Sequence, residues 1–126
     1  MGSISVGERN KMLDAYVGRT TYTANAAYYA KLHTGDPGAA GTSNAATETT
    51  RQVCTFGSGA ATGTISNTAA IEWTNVSTTE TYTWLSFWTA TSGGTFLGSD
   101  DLSSSAAVTA GDTFRVPIGD LDISVT

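Results

Sequence analysis

The stretch from Glu80 to Ala90, ETYTWLSFWTA, carries large apolar side chains on both faces of an extended chain. At the two-residue period of a strand, Tyr82, Trp84 and Trp88 fall on one side, and Leu85 and Phe87 fall on the other. Such a strand must be covered twice, so it belongs in the middle of a sandwich or beneath a partner. The rest of the chain has to supply its neighbours and its cover.

It does so with short alternating segments. Tyr28, Ala30 and Leu32 alternate with Tyr29, Lys31 and His33; Val53 and Thr55 oppose Cys54 and Phe56; Ile71 and Trp73 flank Glu72. The last run sets Leu121, Ile123 and Val125 against Asp120, Asp122 and Ser124. Turn sequences separate these segments: GDPG, TSGG, AGD and PIGD, with GSGAATG between residues 57 and 63. Composition agrees. The chain holds 23 Thr and 13 Ser among 126 residues and only 13% charged residues, so hydroxyl side chains suited to a pleated surface build much of its exterior. Thirteen percent charge with three Trp, five Tyr and four Phe is the reverse of a disordered composition.

Only residues 6–18, VGERNKMLDAYVG, break the pattern. Met12, Leu13, Tyr16 and Val17 recur at helical spacing, with Glu8 near the start and Gly18 as a stop. This helix either covers an open end of the sandwich or grips a neighbouring subunit. The expected fold is therefore all-β: a single antiparallel sandwich or jelly roll of about seven to nine strands with a short N-terminal helix or arm. Residues 1–19 form the arm and residues 20–126 the β-sandwich domain. Trp73, Trp84, Leu85, Trp88, Leu121 and Ile123 are the expected core, and Gly35 to Thr47 reads as a long flexible loop.

The chain is poor in chemistry. His33 is its one imidazole, three positions before Asp36 in LHTGDPG. A His33–Asp36 dyad is the sharper reading. The plainer one is an exposed residue at a strand end, with His33, Asp36, Pro37 and Gly38 forming a structural turn. Cys54 is alone, so no internal disulfide forms, and one Cys with one His cannot close a zinc site. The aspartates near residues 100, 112 and 120 lack the spacing of a calcium loop. The glycines from Gly57 to Gly63 miss both nucleotide fingerprints. Aromatic side chains at Trp84, Phe87 and Trp88 could offer a sugar platform, but core packing explains them as well. No catalytic residue and no cofactor are expected.

The charge of −5 is unevenly placed: residues 1–51 carry a net +1, residues 52–126 a net −6. A body that acidic offers no basic stripe for nucleic acid. The first eighteen residues hold no apolar run of membrane or signal length, so no membrane partner is expected and the chain is expected to stay in a cytoplasm until assembly.

The ordered set LHTGDPG, RQVCTFG, SGGTFLGS and AGDTFRVPIGDLDISV resembles a family of small virion structural proteins of tailed bacteriophages, over roughly residues 18–125. Lys31 departs from that pattern, which would place an apolar or small residue there. The resemblance implies a non-enzymatic assembly role and assigns no catalytic residue. It implies first a capsid decoration or cement protein on the outer surface of the phage head, with the major capsid protein as partner. A minor tail or tail-fibre protein touching the host surface is the alternative. Self-association is expected, by analogy a trimer. Arg9, Lys11, Met12, Tyr16 and Arg19 on the relatively basic arm are the candidate capsid or subunit interface.

Overall fold

The computed structural model describes residues 3–57, 60 and 62–124. Among these residues run nine strands and one helix: β1 (Ser3–Ile4), α1 (Val6–Tyr16), β2 (Tyr29–His33), β3 (Gln52–Val53), β4 (Thr64–Ser66), β5 (Ile71–Trp73), β6 (Glu80–Trp88), β7 (Phe96–Val108), β8 (Phe114–Val116) and β9 (Asp122–Ser124). The fold is all-β and antiparallel with a short N-terminal helix, as the alternating segments require. One five-stranded sheet has the order β1-β7-β6-β2-β3, and two ribbons, β4-β9 and β5-β8, complete the set. The strand that is apolar on both faces, β6, occupies the centre of the large sheet.

Register decides which face each side chain takes. Leu32 lies opposite Leu85 and Ala30 opposite Phe87, and all four are buried in the core. The core is completed by Ile71, Trp73 and Val116 from the β5-β8 ribbon, with Val76, Leu97 and Leu121. Ile123 is half-buried and packs against this cluster. Tyr29, Lys31 and His33 pair with Trp88, Ser86 and Trp84 on the opposite face of the sheet.

The structure corrects the expected phase of β6. Tyr82 opposes Ala106, but Trp84 opposes Asp101, so Thr83 alone spans the stretch of β7 from Leu102 to Ser105. This bulge resets the alternation. Tyr82, Leu85 and Phe87 all join the core cluster, whereas Trp84 and Trp88 lie outside it. Trp84 is half-buried, and Trp88, 9% exposed, is covered by the Arg51 guanidinium 4.5 Å from its ring centroid.

The expected flexible loop from Gly35 to Thr47 is instead folded down onto that second face. Ser43 N–H donates to Pro37 O at 2.9 Å, Thr34 N–H to Asn44 O at 2.9 Å and Ala46 N–H to Leu32 O at 3.1 Å, so its backbone groups are paired as a strand's would be. Pro37 is fully buried. Gly41, at φ +75°, lies so close to Phe96 that a Cβ would stand 2.3 Å from the ring, which only glycine permits. The expected turn at GSGAATG falls in part on residues 58, 59 and 61, and Val125 of the last strand also lies outside the described residues.

Candidate functional site

The histidine that sequence places at an exposed strand end is fully buried. Its strand position explains why: His33 sits opposite Trp84 on the second face of the sheet, beneath the 35–47 loop, which bridges back to it at Ala45. Its Nδ1 is 2.8 Å from Ser43 O of that loop and its Nε2 is 2.7 Å from Ser86 Oγ of β6. A carbonyl only accepts, so Nδ1 carries the proton and Nε2 accepts from the Ser86 hydroxyl. Trp88 Nε1–H donates to the same Ser86 Oγ at 2.8 Å.

A serine hydroxyl aimed at a histidine whose other nitrogen is anchored has the donor order of an activated nucleophile. Here both partners are wholly buried, and Ser86 also receives the Trp88 proton, so no substrate carbonyl can approach the oxygen. The chain of hydrogen bonds is a lock that ties loop, β2 and β6 together. Burial holds His33 below the ordinary imidazole range; the Ser43 carbonyl opposes this, and nearby Lys31 adds to it. Lys31 is half-buried beside Ser86 on the same face, and desolvation lowers its own pKa.

Asp36 has no part in this chain. Its Oδ1 accepts the Gly38 N–H at 2.9 Å, and Asn44 Nδ2 donates to Asp36 O at 2.9 Å, closing the Asp-Pro-Gly turn with Gly38 at φ +77°. His33, Asp36, Pro37 and Gly38 are thus brought together as structure, with His33 the buried post and Asp36 the exposed latch. Sequence reasoning missed Ser86 as the partner of His33. The one available signal was a hydroxyl between Leu85 and Phe87 in a strand that must be covered on both sides, since a buried hydroxyl needs a partner.

Two glutamates beside the large sheet are committed to backbone as well. Glu80 accepts the Thr47 and Glu48 amides, both at 3.0 Å, and Glu48 accepts those of Ser77 at 3.0 Å and Thr50 at 3.3 Å. Arg51 Nη1 donates to Ala90 O at 2.7 Å and Gly93 O at 2.8 Å, fixing the β6–β7 turn. Cys54 is buried, and desolvation pushes its thiol up to about 12, far from a nucleophile's range. Among the described residues no three His, Cys, Asp or Glu side chains gather as metal ligands.

Surfaces remain. Ser5 caps α1 by accepting Glu8 N–H at 3.3 Å. Glu8, only 3% exposed, faces inward and takes hydrogen bonds from Lys11 Nζ at 2.8 Å and Tyr22 OH at 2.7 Å, which outweigh its burial and lower its pKa. The candidate interface residues divide around this helix. Met12 and Arg9 are half-buried, Lys11 is exposed in its ion pair, Arg19 is exposed near Asp14 at 3.7 Å, and Tyr16 is 88% exposed. A second surface feature, a cleft of about 520 Å³, opens between the bulged half of β7 and the segment from Phe114 to Asp122.

A family model described as podophage GP4 fiber I protein gp80 matches residues 3–124. No curated protein matches the chain. The match favours the fibre alternative over the capsid decoration protein that the sequence suggested first, and it agrees with the resemblance to small phage virion proteins.

Proposed function

Because this chain belongs to the family of the podophage GP4 fiber I protein gp80, we propose that it is a non-enzymatic structural component of a fibre on the phage tail. The match across residues 3–124 carries this reading, since it takes in every strand of the fold and the helix. The structure supports it from the chemical side. The histidine, the buried thiol and the two glutamates nearest the sheet are engaged in holding backbone or are shut away from solvent, as suits a rigid building block whose work is done at its surface. On this reading, contact with the host surface falls to exposed side chains and turns.

Antibodies raised against the folded protein test the location. Gold label on purified virions is expected at the tail, with a copy number by quantitative mass spectrometry far below that of the major capsid protein. Label spread over the head at a copy number comparable to the capsid protein would overturn the fibre reading and restore the decoration one.

A further inference from the structure

Helix α1 is built inside out. Its one fully buried side chain is the carboxylate of Glu8, whereas Val6 at 61%, Leu13 at 62%, Tyr16 at 88% and the capping Val17 at 67% are exposed. Val6, Leu13 and Val17 stand at intervals of seven and four residues, so they form one ridge with Tyr16 on its flank. A solvated surface helix ordinarily shows the opposite arrangement. Only two other large apolar residues are this exposed among the described residues, and one of them, Ile118 at 62%, lies in the chain between Pro117 and Gly119, both of which line the cleft.

The cleft suits such a ridge. Leu102, Phe114, Pro117 and Leu121 give it apolar walls, and Asp101, Asp120 and Asp122 give it a net acidic edge against the single cation Arg115, which stands 3.7 Å from Glu72. Arg9 on the helix and Arg19 just beyond its end bring the complementary charge. No residue of α1 lines the cleft of its own chain. The β1 register explains this: Ile4 pairs with Gly98 and Ser5 N–H donates to Leu97 O at 2.8 Å, so the chain enters α1 at the Leu97 end of β7, whereas the cleft follows β7 from Asp100 the other way.

We propose that α1 of one copy seats its Val6–Leu13–Tyr16–Val17 ridge in the cleft of a second copy, with Arg9 and Arg19 against Asp120 and Asp122. The contact uses two different patches, so it joins copies head to tail and generates a ring or a linear array. Apolar anchors supply the affinity, and the charges around them supply orientation and partner choice. The inference rests on these two surfaces and not on the family, so it can fail while the fibre reading stands.

Sedimentation velocity on four samples tests it: the wild-type chain, Leu13→Asp, Ile118→Asp, and an equimolar mixture of the two variants. Wild type is expected to associate with rising concentration, and each variant to sediment as a monomer. The mixture is expected to form a one-to-one dimer and stop, because Leu13→Asp keeps a working cleft and Ile118→Asp a working helix. A wild type that is monomeric at every concentration, or a mixture that stays monomeric, overturns the proposal. So does loss of association in Leu13→Asp alone, which would mean that helices pack on helices. Should either aspartate variant fail to fold, Arg9→Glu with Arg19→Glu and Asp120→Lys with Asp122→Lys provide the same comparison. Each charge-reversed protein is expected to bind its own kind at least tenfold more weakly and to recover binding when the two are mixed; unchanged self-association in both would contradict the assignment.

Discussion

The 35–47 loop and helix α1 exchange the roles their sequences suggest. The loop is a run of Gly, Ala, Ser, Thr and Asn without period, yet it is folded into backbone hydrogen bonds over a buried histidine. The helix has regular spacing and apolar residues, yet it turns Glu8 inward and its ridge outward. What separates them is the surface each meets. The loop lies over His33 and Ser86, whose polar atoms must be satisfied once they leave water. The helix lies where Tyr22 and Lys11 satisfy one carboxylate, and among the described residues its apolar ridge stays exposed.

Breaking the lock at its post should have the largest effect. His33→Ala orphans the Ser43 carbonyl and the Ser86 hydroxyl, at about 1–3 kcal/mol for buried groups left unpaired, with a cavity term in addition. Urea unfolding is expected to show that loss with little change in the slope. Gly41→Ala pushes a methyl into Phe96 at a positive φ, and a shift of about 1–3 kcal/mol is expected from strain and overpacking. A thermal scan that leaves this variant level with wild type would mean that the loop is free to lift.

Acid is a gentler way to load the same lock. The folded-state pKa of His33 lies below the ordinary value of 6.5, so between the two values the unfolded chain binds the proton and the folded chain does not. The stabilisation from a neutral His33 is complete above pH 6.5 and declines as pH falls below it. The Glu8 contribution, from a carboxylate lowered beneath 4.5, is lost only at more acid pH, so the two separate in a pH series of unfolding midpoints. Asp36→Ala removes one exposed Asx hydrogen bond and is expected to cost about 0.5–1.5 kcal/mol. On the other side of the comparison, Leu13→Ser should leave the unfolding of the dissociated chain within about 0.5 kcal/mol, as for a mostly exposed side chain. A loss comparable to that of His33→Ala would mean that the helix packs its ridge after all.

Much of the fold was legible because its signals are local. The two apolar faces of β6 fixed it at the centre of a sheet, and Asp-Pro-Gly, Ala-Gly-Asp and Pro-Ile-Gly-Asp are turns. The failures are all non-local. Tyr82 leaves the expected face because of extra residues in β7, the partner strand, which no period in β6 records. His33 is buried because of Ser86, a residue 53 positions away, and because of a loop whose composition suggests solvent. In α1 the spacing of Met12, Leu13, Tyr16 and Val17 predicts a helix, but which side faces inward was set by Glu8 finding Tyr22. A carboxylate with two good donors can be buried at the expense of leucine.

The lock stands or falls with His33, sealed away from solvent beneath the 35–47 loop. The chain has a single histidine, so a two-bond proton–nitrogen NMR spectrum of the imidazole carries one unambiguous pattern. The expected result is a neutral ring protonated at Nδ1, whose titration is shifted below 6.5. A ring protonated at Nε2, or an ordinary titration centred near 6.5, would place His33 in contact with water and contradict the lock.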